Sequence, residues 1–269
     1  MRAAVLAGLL LITAGGAIGQ TQKIERGKRL VADGLKALGG DSFLEMKDRV
    51  ETGRAYSFYR EQLAGLARAT IYTRYLQPAQ PPPEPPRLFV RERQAFGKDQ
   101  DYSILFDEER GFQITFRGAR PVPAEIFERF RESTLRNVFY ILRMRLGEPG
   151  MIIESQGTDV LDNQPVEVVD FVDGSNTTVT VYFHYSTKLP VKQVTHRRNP
   201  KTKERHEEVT HFSKYRDVGG GVRWPMTIQR FRDGEKIFEI YSESVTINQN
   251  LSDVHFTLPG DMKVLPPAR

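Results

Sequence analysis

The chain contains no cysteine. Disulfides, thiolate zinc sites and thiol nucleophiles are therefore excluded. So is lipid attachment at an N-terminal cysteine, and the mature chain is expected to be unanchored. Histidine is scarce, at 5 residues. The stretch His206-Glu207-Glu208-Val209-Thr210-His211 falls short of the zinc-protease motif, which needs its histidines at i and i+4 on one helix face. Here the second follows at i+5, and the local pattern is that of a strand, on which the two rings face opposite sides. His196 could neighbour His206 across a hairpin, a two-ligand surface site at best. No metal and no cofactor is expected. There is no Gly-x-Ser-x-Gly elbow and no phosphate-cradling Gly-Lys-Ser/Thr loop. Asp107, Glu108 and Glu109 cluster at a turn. No constellation supports catalysis, and the chain reads as a non-enzyme.

Long apolar runs are also missing, apart from the N-terminus. Arg2, the apolar stretch 3–14 and the small residues Ala17-Ile18-Gly19 have the form of a secretory signal cleaved near Gly19/Gln20. The run is broken by Gly15 and Gly16 and is too short for a membrane anchor. Residues 1–19 are thus expected to be a leader and 20–269 a single exported, periplasmic domain. Losing Arg2 takes the net charge from +5 to +4. The basic residues are interspersed with acids rather than gathered in a stripe, which argues against nucleic acid. The densest group, Arg197, Arg198, Lys201, Lys203 and Arg205, flanks Asn199-Pro200. It reads as a solvated hairpin end or a transient membrane contact.

Among 269 residues, 16 Phe and 10 Tyr are enough for a β-rich domain with a sizeable core. Residues 123–146 read as one long helix between Pro121/Pro123 and Gly147/Pro149. Ile126, Phe127, Phe130, Leu135, Val138, Phe139, Ile141, Leu142 and Met144 share an arc broader than that of an ordinary surface helix. Such a helix calls for a partner that curves around it. Arg131 and Arg145 fall inside that arc. They either snorkel to the rim or meet an anionic lipid head group; replacing both with Gln is then expected to weaken lipid binding and spare the fold. A second helix is expected over 21–38, weakened by Gly27 and Gly34 and stopped by Gly39-Gly40. Asp41 or Ser42 would cap a short turn holding Phe43, Leu44 and Met46 on the core.

Elsewhere the period is two. Alternating segments separated by Asp162-Asn163, Asp173-Gly174, Gly219-Gly220-Gly221 and Asp233-Gly234 predict an antiparallel meander. About eleven strands in one sheet must twist and curl. Residues 78–86 hold six prolines and form a stiff loop, either a plain connection or a docking rim. The fold class is α+β: a strongly curved, incomplete antiparallel barrel around two or three helices. Rows such as Phe112, Ile114 and Phe116, or Trp224, Met226 and Ile228, either pack as solid core or line an apolar cleft.

Four motifs carry a resemblance: Tyr-Phe-His-Tyr-Ser-Thr-Lys-Leu-Pro at 182–190, Val-Arg-Trp-Pro-Met-Thr-Ile at 222–228, Val-Thr-Ile-Asn-Gln-Asn-Leu-Ser-Asp-Val-His-Phe-Thr-Leu-Pro at 245–259, and Ala-Leu-Gly-Gly at 37–40. Together with the order of elements they resemble the LolA/LolB-like outer-membrane lipoprotein-sorting proteins, in an uncharacterised branch. The resemblance implies a half-barrel closed by helices and an apolar cavity that takes acyl chains, without catalysis. On that basis the chain is expected to be a monomeric periplasmic carrier or chaperone. Its partners would be a lipid or acylated protein and an envelope or inner-membrane transport complex. The expected cleft residues are Tyr102, Phe116, Phe127, Phe130, Phe139, Leu142, Phe183, Trp224 and Ile228, with Arg131 and Arg145 at the rim. The alternative is a solid-cored envelope interaction module that docks through 78–86 or the basic hairpin.

Overall fold

The structure, a computed structural model, describes residues 12–77, 87–199 and 202–267. Residues 1–11 of the expected leader, the proline-rich segment 78–86 and Pro200-Lys201 of the basic hairpin lie outside the described residues. No described helix is long and apolar enough to cross a membrane.

Helices α1 (Ile12–Leu38) and α2 (Asp41–Leu44) come first. Strands β1 (Asp48–Tyr59), β2 (Gln62–Tyr75), β3 (Val90–Phe96), β4 (Tyr102–Phe106), β5 (Gly111–Thr115) and β6 (Gly118–Pro121) follow. Then come α3 (Ala124–Leu135), α4 (Val138–Tyr140) and a π-helical turn, Ile141–Arg145. The chain resumes with β7 (Ile152–Leu161), β8 (Gln164–Val172), β9 (Thr178–His184), β10 (Pro190–Arg198), β11 (Arg205–Asp217), β12 (Arg223–Arg232) and β13 (Glu235–Ile247). All belong to one antiparallel sheet of 13 strands, ordered β6-β5-β4-β3-β2-β1-β13-β12-β11-β10-β9-β8-β7. The sheet curves but does not close, because β6 and β7 stand at opposite ends. It is two strands larger than the sequence suggests. The short β6 escapes pattern reading, and Asp162-Asn163, both at positive φ, separates β7 from β8.

Helix α1 starts at Ile12, earlier than expected, and lies close on the sheet. Gly27 and Gly34 are where it approaches. A Cβ at Gly27 would sit 2.8 Å from the Ile153 carbonyl oxygen, and one at Gly34 would sit 2.8 Å from the Phe183 ring. Glycines that weaken a helix in isolation are here what lets it pack. Leu30, Val31 and Leu38 of α1, Phe43 and Met46, and Val138, Phe139, Ile141 and Leu142 fill the inside of β8–β12 as one dense core. Arg143 donates to the carbonyls of Phe43 and Met46. Leu44 faces out, and α2 has no side-chain cap, so neither Asp41 nor Ser42 plays the expected role.

The long helix over 123–146 is not continuous. It stops at Arg136, and Asn137 takes an extended conformation and accepts a hydrogen bond from the Phe139 N–H. The side chain of Gln193 accepts from the Val138 N–H at 2.9 Å. Asn is a strong cap former, and with a partner for Val138 the chain can restart at a new angle. Val138–Tyr140 and the residues after it therefore plunge into the core, whereas no residue of α3 is fully buried.

A second apolar cluster lies on the opposite face of the sheet. Leu105, Phe112, Ile114 and Ala119 are covered there by Phe256, Leu251, Leu258 and Met262 of the C-terminal segment. Phe112 and Ile114 thus face away from the concave side. The same segment bridges Ala119 to Val264 and so covers the edge strand β6, whose unpaired groups would otherwise invite association.

Candidate ligand-binding cleft

Helix α3 lies across the mouth of the curved sheet. Its Phe130 stacks on Phe106 of β4, and Phe127 and Leu135 pack near Leu88, Val90 and Tyr140. Tyr140 is held in place by its hydroxyl, which accepts from the Phe89 N–H at 2.8 Å and donates to the Arg87 carbonyl at 3.3 Å. Burial pushes that hydroxyl up to about pKa 12, against the lowering effect of the Phe89 hydrogen bond. It stays protonated and serves as a strut.

Beneath α3 the dense core gives way to a chamber of about 250 Å³. Its walls come from β1, β2, β3, β12 and β13, with Ala55, Ala69, Ile71, Phe96, Phe130, Phe139, Trp224, Ile228, Phe238 and Ile240 supplying apolar surface. Cross-strand register puts these groups on one face: Ile228 lies opposite Ile240, and Ala69 opposite Phe96. The floor is aromatic, with Phe139 4.7 Å from Trp224 and 5.0 Å from Phe212.

Of the four charged residues that line this chamber, Arg49 and Glu51 pair with each other. The Arg49 guanidinium sits 4.0 Å over the Trp224 ring, donates to Thr73 Oγ1 at 3.1 Å and approaches Glu51 at 3.7 Å. Desolvation works against its charge, but Tyr75, Glu51 and Glu92 together outweigh it and raise its pKa. Glu92 accepts from Gln94 and Thr73. Arg230 differs: among the described residues its side chain has no hydrogen bond and no ion pair, only the Phe238 ring at 5.6 Å. It is exposed and lines the cleft, and desolvation lowers its pKa against the pull of Glu92, Glu208 and Glu51.

A second chamber, also about 250 Å³, adjoins the first; Ser133, Asn137, Arg230 and Phe238 line both. It is basic, with Arg129, Arg136, Arg197, Arg230 and Arg232 against Glu132 and Glu208. Glu132 pairs with Arg197 at 3.0 Å and Arg136 at 4.0 Å, and Glu208 pairs with Arg232 at 3.4 Å. Beyond it the cleft opens between the start of α3 and the β10–β11 hairpin.

Of the residues the sequence singles out, Phe130, Phe139, Trp224 and Ile228 meet at the inner chamber. Phe127 packs on the strand side of α3. Leu142 and Phe183 are sealed in the solid core, because α1 fills the hollow on their side. Tyr102 contacts Phe96 near the sheet end. Phe116 follows β5 in a turn and is 88% exposed, so it lines nothing.

Neither expected rim arginine is at the rim of the cleft. Arg131 pairs at the surface with Glu128, one turn away at 2.9 Å. Arg145 is 3% exposed. It forks onto Glu148 at 2.8 and 2.9 Å, reaches Asp173 at 3.2 Å and donates to the Leu135 carbonyl at 2.6 Å. It clamps the end of α3 to the β8–β9 turn. His196 lies opposite Glu207, not His206, which bonds Asp233 at 2.7 Å, so the two histidines do not share a site.

The cationic residues of the outer chamber escape the sequence reading, although a signal exists. The period-two row Trp224, Met226, Ile228 continues to Arg230 and Arg232. Arg197, grouped by sequence with the solvated hairpin end, turns inward to α3 instead.

No family model matches the chain, and no curated protein matches it in sequence. Solved structures do match in shape. A DUF1329-family protein from Desulfovibrio piger is 10% identical, with a TM-score of 0.58 over 87% of this chain and 97% of that one. A putative outer-membrane lipoprotein-sorting protein domain from Vibrio parahaemolyticus is also 10% identical, with a TM-score of 0.54 over 84% and 97%. The chain therefore has the LolA-like fold: an unclosed antiparallel barrel with helices in its hollow.

Proposed function

We propose that the protein is an exported, non-catalytic carrier that shields an acyl chain in the chamber beneath α3. The observation that carries this reading is the apolar, aromatic-floored space between α3 and an unclosed sheet. The outer-membrane lipoprotein sorting named for the Vibrio protein of the same fold supports it. Each methylene withdrawn from water contributes roughly 0.8 kcal/mol. A chamber of about 250 Å³ is smaller than the roughly 300–1,000 Å³ of typical ligand pockets, so while α3 rests on the sheet it takes no more than part of one chain. A bulkier cargo requires α3 to lift, and its lack of fully buried residues makes that motion inexpensive.

The test is to purify the protein from its native envelope and combine native mass spectrometry with lipid extraction. Co-purifying lipid, or saturable uptake of a fluorescent fatty acid, is the expected result. A clean apo mass with no uptake would overturn carriage and favour a docking module built on the solid part of the core.

A further inference from the structure

We infer that the basic chamber is a head-group site, and that the cargo is a single-chain amphiphile with an anionic head, a carboxylate or phosphate. This rests on the carrier reading above. The cleft is graded along its length. Its inner chamber combines apolar and aromatic walls with balanced charge, Arg49 and Arg230 against Glu51 and Glu92, whereas its outer chamber sets five arginines against two glutamates. Both glutamates already have arginine partners: Glu132 has Arg197 and Arg136, and Glu208 has Arg232. The side chains of Arg129 and Arg230 have no hydrogen bond or ion pair among the described residues, and both line the outer chamber.

Arg230 stands where the two chambers meet. A chain lying against Phe130, Phe139 and Ile228 would bring its head within reach of Arg230 and, farther out, Arg129. The outer chamber's excess of arginine over glutamate gives a net positive field, which low-dielectric walls concentrate on such a head. A planar guanidinium also suits the oxygen pairs of carboxylates and phosphates. Glu92, Glu208 and Glu51 act on Arg230 without forming an ion pair among the described residues, so an uncharged head would leave its guanidinium with no direct anionic partner.

The experiment measures binding of palmitate, lysophosphatidate, hexadecanol and inorganic phosphate to the full protein, wild type and with Arg230→Gln or Arg129→Gln. Because neither arginine is paired, thermal melting should show both variants folded; Arg131→Gln, at a surface pair, is the control. The expected result is a preference of about tenfold or more for the anionic lipids over hexadecanol. Arg230→Gln should remove it and Arg131→Gln should not. Palmitate and lysophosphatidate distinguish the two heads by which binds more tightly. If hexadecanol binds as well as palmitate and Arg230→Gln changes nothing, the head-group site is refuted while carriage stands. If inorganic phosphate binds as tightly as lysophosphatidate, the site serves a free anion and the amphiphile is refuted. If none of the lipids binds, carriage and head-group recognition fall together.

Discussion

Phe130 lies flat on Phe106, with ring centroids 3.9 Å apart and planes 6° from parallel. One ring belongs to α3 and the other to β4, so the stack fastens the helix that covers the cleft to the sheet beneath it. Regions with few buried contacts open at low cost relative to the global unfolding free energy.

Phe130→Ala should loosen α3 specifically. Its half-buried ring should cost about 1–2 kcal/mol, less than the roughly 3–5 of a fully buried Phe. Hydrogen exchange is expected to speed up across Ala124–Leu135 and stay unchanged in β8–β12. Equal protection of α3 in variant and wild type would show that the stack is not its fastening.

Arg145 and Arg131 should behave oppositely. Arg145→Met leaves Glu148 and Asp173 without their shared cation, and breaking such a buried pair costs about 3–5 kcal/mol. Arg131→Gln removes a surface pair worth about 0–1 kcal/mol. Urea midpoints of the two variants should therefore separate widely; similar midpoints would contradict the clamp.

Asp173 should contribute to acid sensitivity. Desolvation is the largest single influence and pushes its carboxyl up. Hydrogen bonds from Ser175 and Thr177 and the pull of Arg145 together outweigh it, so the pKa lies below the ordinary 3.8. A depressed folded-state pKa contributes stability that is complete above the unfolded value and lost as pH falls through the folded one. Asp173→Asn should thus destabilise the protein at neutral pH. Urea midpoints of variant and wild type should converge below about pH 4. A gap that persists unchanged into acid would assign the effect to packing alone.

Gly27→Ala tests the approach of α1. Helix propensity favours Ala by about 1 kcal/mol, but the new Cβ would meet the Ile153 carbonyl at 2.8 Å and the Ser155 amide nitrogen at 3.0 Å, and backbone cannot step aside cheaply. The melting temperature should fall by about 2–4 °C or more. Gly147→Ala, with nothing within 4 Å, should leave it unchanged. A rise at Gly27 would mean that propensity prevails and the close approach is unimportant.

The turns read from the sequence at Asp162-Asn163, Asp173-Gly174, Gly219-Gly220-Gly221 and Asp233-Gly234 fall between β7 and β8, β8 and β9, β11 and β12, and β12 and β13. Two-residue periodicity and turn chemistry are local properties. The hairpin turn between β1 and β2 was harder to see, because Arg60 and Glu61 adopt positive φ with no glycine or asparagine to announce it. The break at Asn137 was invisible for another reason. Apolar spacing continues through it, and the hydrogen bond that permits it runs from the Val138 N–H to Gln193, 55 residues further along the chain.

The curved antiparallel meander and its apolar faces were written in the sequence, because alternation and turns are decided among neighbours along the chain. Only the tertiary structure decided which basic residues face inward. Arg145, an arginine on an apolar arc, could equally be a buried clamp or a cavity ligand until Glu148 and Asp173 are seen around it. Arg230 could equally be a surface charge until the curvature of the sheet and the angle of α3 enclose it. Orientation follows from local periodicity, but enclosure depends on distant elements meeting, and that is where the cleft acquires its charge.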